Sequence, residues 1–445
     1  MATETLITTE NSYLRDFTGS NSGSETPGPQ WLLNLRQSAA LRFGEVGFPT
    51  RRNEEWRFTN VSPIAETPFT LASKTDSAMT AETLSGYTYE GMGGTQLVFV
   101  NGHFQPDLSS QEFPAGVTVS TLSAAMEASP EMIEAQLGRW AKFTTQAFVA
   151  LNTAALEDGA FVHLERNTVV KEPIHLLFLS TPNAGPTVSH PRTLIIAEAN
   201  SQATIVESYS GTADTVYFTN AVTEITAAEN VVIDHYKVQR ESRKAFHVAT
   251  MQLQLARSTN FSSHSVGLGG LLVRNDANAY LGGEGIECTL NGVYLGNDRQ
   301  IIDNHTEIDH AMPHCNSHEI YKGILDGHSR GVFNGKIFVR EDAQKTDAKQ
   351  TNQTLLLSPT AQIDTKPQLE IFADDVKCTH GATIGQLSDE ALFYLRARGI
   401  SKDNARALLT YAFASDIVSR IKIDAIRAQL DQVLLADRAL QEIAL

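Results

Sequence analysis

Between residues 158 and about 386 apolar and polar positions alternate, as in "AFVHLERNTVV", "TLIIAEANSQATIVESYS", "AVTEITAAENVVIDHYKVQ" and "VATMQLQLARSTNFSSHSVGL". A period of two places successive side chains on opposite faces of a strand. Strong helical periodicity is absent over this span. Small polar clusters (EANSQ, AAEN, ARSTN, LSPTAQ) interrupt the runs at uneven intervals of about 30 residues and more, too irregular for a strict repeat. A sandwich would turn about every 8–12 residues, so stacked rungs suit the spacing better. The pattern predicts a mainly β chain whose core, residues 156–386, is a β-helix or solenoid. The glycines of "GLGGLLV" and "YLGGEGIECTL" then suit tight corners.

The flanks read differently. Residues 1–155 form a mixed helical and α/β segment. "TGSNSGSETPGPQ" (18–30) is a flexible linker by composition, and "WLLNLRQSAALRF" has helical spacing. "LVFVNGHFQP" is a short strand with an Asn-Gly turn signal. "SPEMIEAQLGRWAKFTTQAFVALN" reads as a helix with Ser129 at its N-cap and Pro130 at its first position. Residues 387–445 are helical. Ser388 and Ser401 precede acidic first turns, Gly399 supplies a stop, and Leu409, Phe413, Ile417 and Ile421 recur in steps of four. A helical segment after a solenoid suggests either a cap on the last rung or a partner-docking face built on Phe393, Tyr411 and Phe413.

Composition narrows the function. The 445 residues carry 35 basic and 51 acidic side chains, a net charge of −16. "RRNEEWR" is the densest basic stretch, and two glutamates interrupt it. That balance argues against binding nucleic acid. No apolar run approaches the roughly 18 residues of a membrane span, and no secretory signal is read at the start. The three cysteines, Cys288, Cys315 and Cys378, are too few for a disulfide framework, which suits a reducing cytoplasmic setting.

Two groups could carry chemistry. "DNHTEIDHAMPHCNSHEIYKGILDGHSRG" holds His305, His310, His314, His318 and His328, with Cys315, Asp303, Glu307, Asp309 and Glu319 between them. Imidazole and thiolate are good zinc and iron ligands, so a stand-alone β-helix metalloprotein or enzyme using His305–His318 is one reading. Pro313 and the β pattern divide the set, which leaves turn polarity or hydrogen bonding at a subunit contact as the other. The second group is "DDVKCTHGATIGQL". On a strand Cys378 and His380 share a face about 6.6 Å apart. They are either half of a metal site or a small buried cysteine beside a hydrogen-bonded histidine. No CxxC, nucleophile elbow, Walker loop or dinucleotide fingerprint occurs.

Three long strings carry a resemblance: "YKGILDGHSRGVFNGKIFV", "AKQTNQTLLLSPTAQIDTKPQLEIFADDVKCTHGATIGQL" and "ALFYLRARGI". They resemble the SufB/SufD family of iron–sulfur cluster assembly proteins, densely from about residue 285 to 420 and more loosely through the β-region. "RRNEEWRFTNVSPI" is similar to an early segment of the SufD branch. The chain lacks the cysteine-rich segment of SufB, and has His380-Gly381-Ala382-Thr383 where SufB has His-Glu-Ala-Thr. It is therefore most similar to SufD. The resemblance implies a right-handed parallel β-helix between an N-terminal domain and a C-terminal helical domain. It further implies a non-catalytic scaffold, pairing with SufB through the β-helices and docking a SufC ATPase through the helices. By motif, His380 corresponds to a histidine implicated in building a nascent cluster at the SufB–SufD interface, with Cys378 the weaker candidate and a SufB cysteine supplying a thiolate. The lone chain would then hold no cluster tightly and could pair with itself. A reduced flavin is implied for the assembled complex, with no residue of this chain assigned to it.

Overall fold

The structure, a computed structural model, describes residues 28–72 and 79–435. Its centre is a β-solenoid of about eight turns. Successive strands alternate between two parallel sheets. The first sheet contains Arg192–Ala197, Tyr217–Ala227, Phe246–Leu255, Leu272–Leu281, Ile301–His310, Arg330–Val339 and Gln362–Ile371. The second contains Ile174–Ser180, Gln202–Gly211, Val232–Glu241, Asn260–Gly269, Glu287–Gly296, Asn316–Leu325, Asp347–Leu356 and Lys377–Gly385. Each residue pairs with one a full turn later, from 26 positions on (Phe246 beside Leu272) to 32 (Arg330 beside Gln362). That variation in rung length is why the repeat looks irregular in sequence.

Corner geometry supplies the period that the side chains obscure. Asn200, Asn230, Ser258, Gly285, His314 and Lys345 stack at one corner, each with φ between 55° and 69°. Asparagine tolerates this left-handed region better than most residues with a Cβ. Asn230 donates its side-chain amide to Asn200 at 2.9 Å, and Asn200 donates to Asn167 at 2.8 Å, a short ladder along the corner. Backbone N–H groups continue it, Ser258 to Glu284 at 2.8 Å and His314 to Gln344 at 2.9 Å.

Between the sheets, inward residues such as Ile205, Ile225, Ile233, Leu253, Phe261, Leu290, Ile308 and Phe333 form one buried cluster. Burying a side chain of this size contributes about 1.5–3 kcal/mol. The interior is not wholly apolar. Lys237 Nζ lies 2.9 Å from His247 Nε2, His247 Nδ1 lies 2.8 Å from Glu241, and Thr219 donates to Glu241 at 2.8 Å. Desolvation lowers Lys237 to about 8.

The N-terminal segment is built onto the solenoid. Thr95–Val100 pairs in parallel with Ile174–Ser180, and Val117–Thr121 pairs antiparallel with Ala160–Leu164. Helix Gln30–Val46 forms as its periodicity predicts; of the linker expected at 18–30, residues 18–27 lie outside the described residues. The single helix expected from Ser129 is two, Pro130–Gln136 and Ala147–Ala154. Tertiary contacts break it. Gly138 turns left-handed (φ 74°), and the buried Glu224 carboxylate accepts the N–H groups of Gly138, Trp140 and Ala141 at 2.9–3.0 Å. Arg192 completes this anchor with a salt bridge to Glu224 in which both side chains are fully buried.

The C-terminal helices are Asp389–Arg396, Lys402–Val418 and Asp424–Leu435. Ser388 and Ser401 cap as expected, accepting from Ala391 and Asn404, and Gly399 takes φ 85°. The helices do not cap the last rung. Ala414, Ile417, Val418, Ile421, Ile426, Leu430 and Leu434 pack on Val206, Tyr236, Val238, Val266, Val293, Ile324 and Leu355, the outer face of the second sheet. An apolar stripe on that flank wins the helices, and among the described residues the end of the solenoid stays open. No helix among the described residues is long and apolar enough to cross a membrane.

Candidate functional site

The two sheets end together. Gln362–Ile371 is the terminal strand of the first sheet and Lys377–Gly385 of the second, so this rung presents two unpaired backbone edges side by side. An open edge is a template for pairing with another chain. Register identifies which side chains face inward here. Cys378, His380, Ala382 and Ile384 continue the columns of Ala348, Gln350, Asn352 and Thr354. In the penultimate rung those positions are buried. In the last rung no described residue covers them, and Ile384 is 50% exposed, Ile371 39% and Phe372 59%. An apolar rim is thus left around an inward-facing polar pair.

Cys378 is half-buried against Ile337, Val339, Ala343, Ala348 and Ala373. Burial pushes its thiol up, with Asp347 adding to the shift, so the cysteine stays protonated in the isolated chain. His380 is exposed. The geometry brings the two residues to one face of one strand at the open end. Directly beneath His380 in the column lies Gln350, and beneath that Glu319. Gln350 Nε2 donates to Glu319 Oε2 at 2.7 Å, and desolvation raises Glu319 to about 7. Sequence reasoning passed over Gln350. A rung period of about 30 would have found it, since it precedes His380 by 30 positions.

The histidine-rich segment is dispersed, so the reading of His305–His318 as one metal site is corrected. His305 lies on the outer face of the first sheet, bonded to Asp303 at 3.0 Å and to Glu55 at 3.4 Å. Burial and Arg274 pull its pKa down, but the two carboxylates outweigh them and hold it above the usual value. His310 faces the interior, its Nε2 2.9 Å from Ser317 Oγ. His314 occupies the left-handed corner, His318 belongs to the other sheet, and His328 is exposed beyond that sheet's Asn316–Leu325 strand. Cys315 is buried and donates to the Gly283 carbonyl at 3.1 Å. Strand alternation and the corner between the sheets separate these residues. Among the described residues no three His, Cys, Asp or Glu side chains form a group that could hold a metal.

His305 instead anchors the segment quoted above as "RRNEEWR". Trp56 lies under the Arg274 guanidinium at 4.2 Å, Arg274 donates to the Glu55 carbonyl at 2.7 Å, and Thr59 donates to Asp303 at 2.5 Å. Of the three aromatics expected on the helical face, Phe393 is 73% exposed on a helix with no buried residue. Tyr411 and Phe413 are partly buried against the solenoid, and Lys322 both lies over the Phe413 ring at 4.8 Å and bonds its carbonyl at 2.7 Å.

Fold and site together define a parallel β-solenoid whose last rung is an unpaired, two-sheet edge carrying a histidine and a cysteine. Residues 178–413 match the SUF system FeS cluster assembly SufBD core domain, and residues 7–176 match the SufBD protein N-terminal region. An iron-sulfur cluster assembly SufBD family protein of Synechocystis is 35% identical over 410 residues, covering 90% of each chain. The iron-sulfur cluster assembly protein SufD of Escherichia coli is 31% identical over 90% of this chain and 91% of its own length. SufD of Bacillus subtilis is 25% identical over 98% of this chain and 99% of its own. The chain belongs to the SufBD family of iron–sulfur cluster assembly proteins, on its SufD side.

Proposed function

We propose that this chain is a non-catalytic scaffold of a Suf assembly complex. It pairs through its open rung with a SufB-like partner and docks a SufC-like ATPase through its C-terminal helices. The observation that carries this reading is the pair of unpaired edges ending the solenoid at one place. A second solenoid ending in the same way would extend both sheets and cover Ile371, Phe372 and Ile384. His380 then lies inside the joint as one ligand to a transient iron or iron–sulfur cluster, which is cargo and not a resident cofactor. Cys378 is secondary, since its thiol needs a partner's charge or the metal to ionise it. The remaining ligands come from the SufB-like partner, including a thiolate. Phe393, on the least buried helix, is the principal contact for the ATPase, with Tyr411 and Phe413 supporting the helical face from within.

Size-exclusion of the chain with and without the SufB-like and SufC-like proteins tests the pairing. A 1:1 complex with the SufB-like chain, and tighter association than any self-dimer, supports it; a lone-chain dimer that the partner does not displace overturns it. His380→Ala should leave the complex intact and lower cluster assembly by at least about tenfold, the scale for loss of a metal-site group. Unimpaired assembly would remove His380 from the site.

A further inference from the structure

The column beneath His380 has a chemistry of its own. Glu319 and Gln350 are 1% and 2% exposed, in the interior of the solenoid. A buried carboxyl kept in such a place requires an explanation. Its Oε2 takes the Gln350 amide N–H, which fixes the orientation of that amide and leaves Gln350 Oε1 as an acceptor with no partner, although it is buried. Space for the amide comes from Gly335 on the opposing sheet, where a Cβ would stand 2.1 Å from Gln350 Nε2. His380 is the Cα partner of Gln350 on the next rung, about 4.8 Å away in the direction of the sheet, and Glu319 is roughly 10 Å from it. The imidazole is thus the donor-bearing side chain next in line.

We propose that Glu319, acting through Gln350, is a positioning residue for His380: the held amide oxygen accepts one imidazole N–H and so leaves the other ring nitrogen as a lone pair directed at the open rung. This rests on the reading of His380 as a ligand at the joint. An imidazole binds metal through whichever nitrogen its tautomer leaves unprotonated, and the bond made by the other nitrogen sets which one that is. Without Glu319 the Gln350 amide is free to turn its N–H₂ outward, which would occupy the lone pair that the ligand role needs. Thr365, on the terminal strand of the opposing sheet two residues before Pro367, the partner of Gly335, has a buried hydroxyl that also lacks a partner and serves as the control donor.

The test is side-chain nitrogen NMR of the histidine-labelled lone chain at pH 8, with the His380 signals assigned by their loss in His380→Ala. Wild type should show one dominant tautomer. Gln350→Leu and Glu319→Leu should each shift the tautomer ratio by about threefold or more, the factor one net hydrogen bond supplies. Glu319→Gln, which keeps an oxygen acceptor, should stay near wild type, and Thr365→Val should change nothing. An unmoved ratio in both leucine variants overturns the proposal, as does a shift in Thr365→Val alone. Circular dichroism checks folding; where a leucine variant fails it, Gln350→Met carries the same prediction. The measurement needs neither partner nor cluster. Tautomer control can therefore stand while His380→Ala leaves assembly intact, and the two readings fail separately.

Discussion

The two ends of the solenoid are made of the same kind of strand and finish differently. At the N-terminal end Leu97, Phe99, Val117 and Val119 enter the interior from added strands, and all are buried. Phe99 stacks on Phe178 at 5.1 Å between ring centres, and Phe178 on Tyr209 at 5.0 Å. Glu224 and Arg192 lock the neighbouring loop. At the other end the columns stop, among the described residues, at Cys378, His380, Ala382 and Ile384. The helices that follow lie along the flank. One end is finished within the chain. The other is left for pairing, and the histidine–cysteine pair sits there.

The comparison can be broken at the finished end with the largest effects. Glu224→Ala leaves Arg192 charged and buried and orphans three backbone N–H groups. It should cost about 3–5 kcal/mol, read by urea unfolding of the lone chain. An effect below about 1 kcal/mol would mean that this anchor does not close the end.

Acid should also attack the finished end first. Burial lowers His175 and His190 to about 3, and both flank the first rungs. Their unfolded value is near 6.5, so the unfolded chain binds protons that the folded one refuses as pH falls below that value. Stability is full above about 6.5 and is lost as pH drops toward 3, by roughly 1 kcal/mol or more per pH unit. Hydrogen exchange should show the protection of Ile174–Ser180 falling more between pH 7 and pH 5 than that of Lys377–Gly385, which is exposed at both; an equal or smaller fall would contradict it.

At the open end the lone chain should hardly notice. Ile384→Glu is half-exposed and should change stability by less than about 0.5 kcal/mol. The same substitution puts a charge into the proposed joint and should weaken association with a SufB-like partner by about 100-fold, measured by calorimetry. Equal binding by the variant would move the joint elsewhere. Phe393→Ala should be smaller still, with no change in melting and about tenfold weaker association with the ATPase.

Much of this was legible in the chain. Alternation revealed the strands because side-chain direction along a strand is local, and Ser388, Gly399 and Ser401 marked the helix boundaries through their own backbone preferences. The shared strings showed the family. The His305–His318 segment shows where reading along the chain fails. His305, His310 and His318 are close in sequence, yet alternation and one corner send them to an outer face, the interior and the other sheet. Glu319, Gln350 and His380 are far apart in sequence and stand in one column.

The sequence by itself determined the rung, the caps and the kinship, all set by neighbours a few residues apart or by strings read directly. Only the tertiary structure decided which side chains stack, that the helices take the flank, and that the described residues leave the last rung bare. Those outcomes depend on register between residues some 30 positions apart, and on which apolar surface the C-terminal helices cover, neither of which a local pattern encodes.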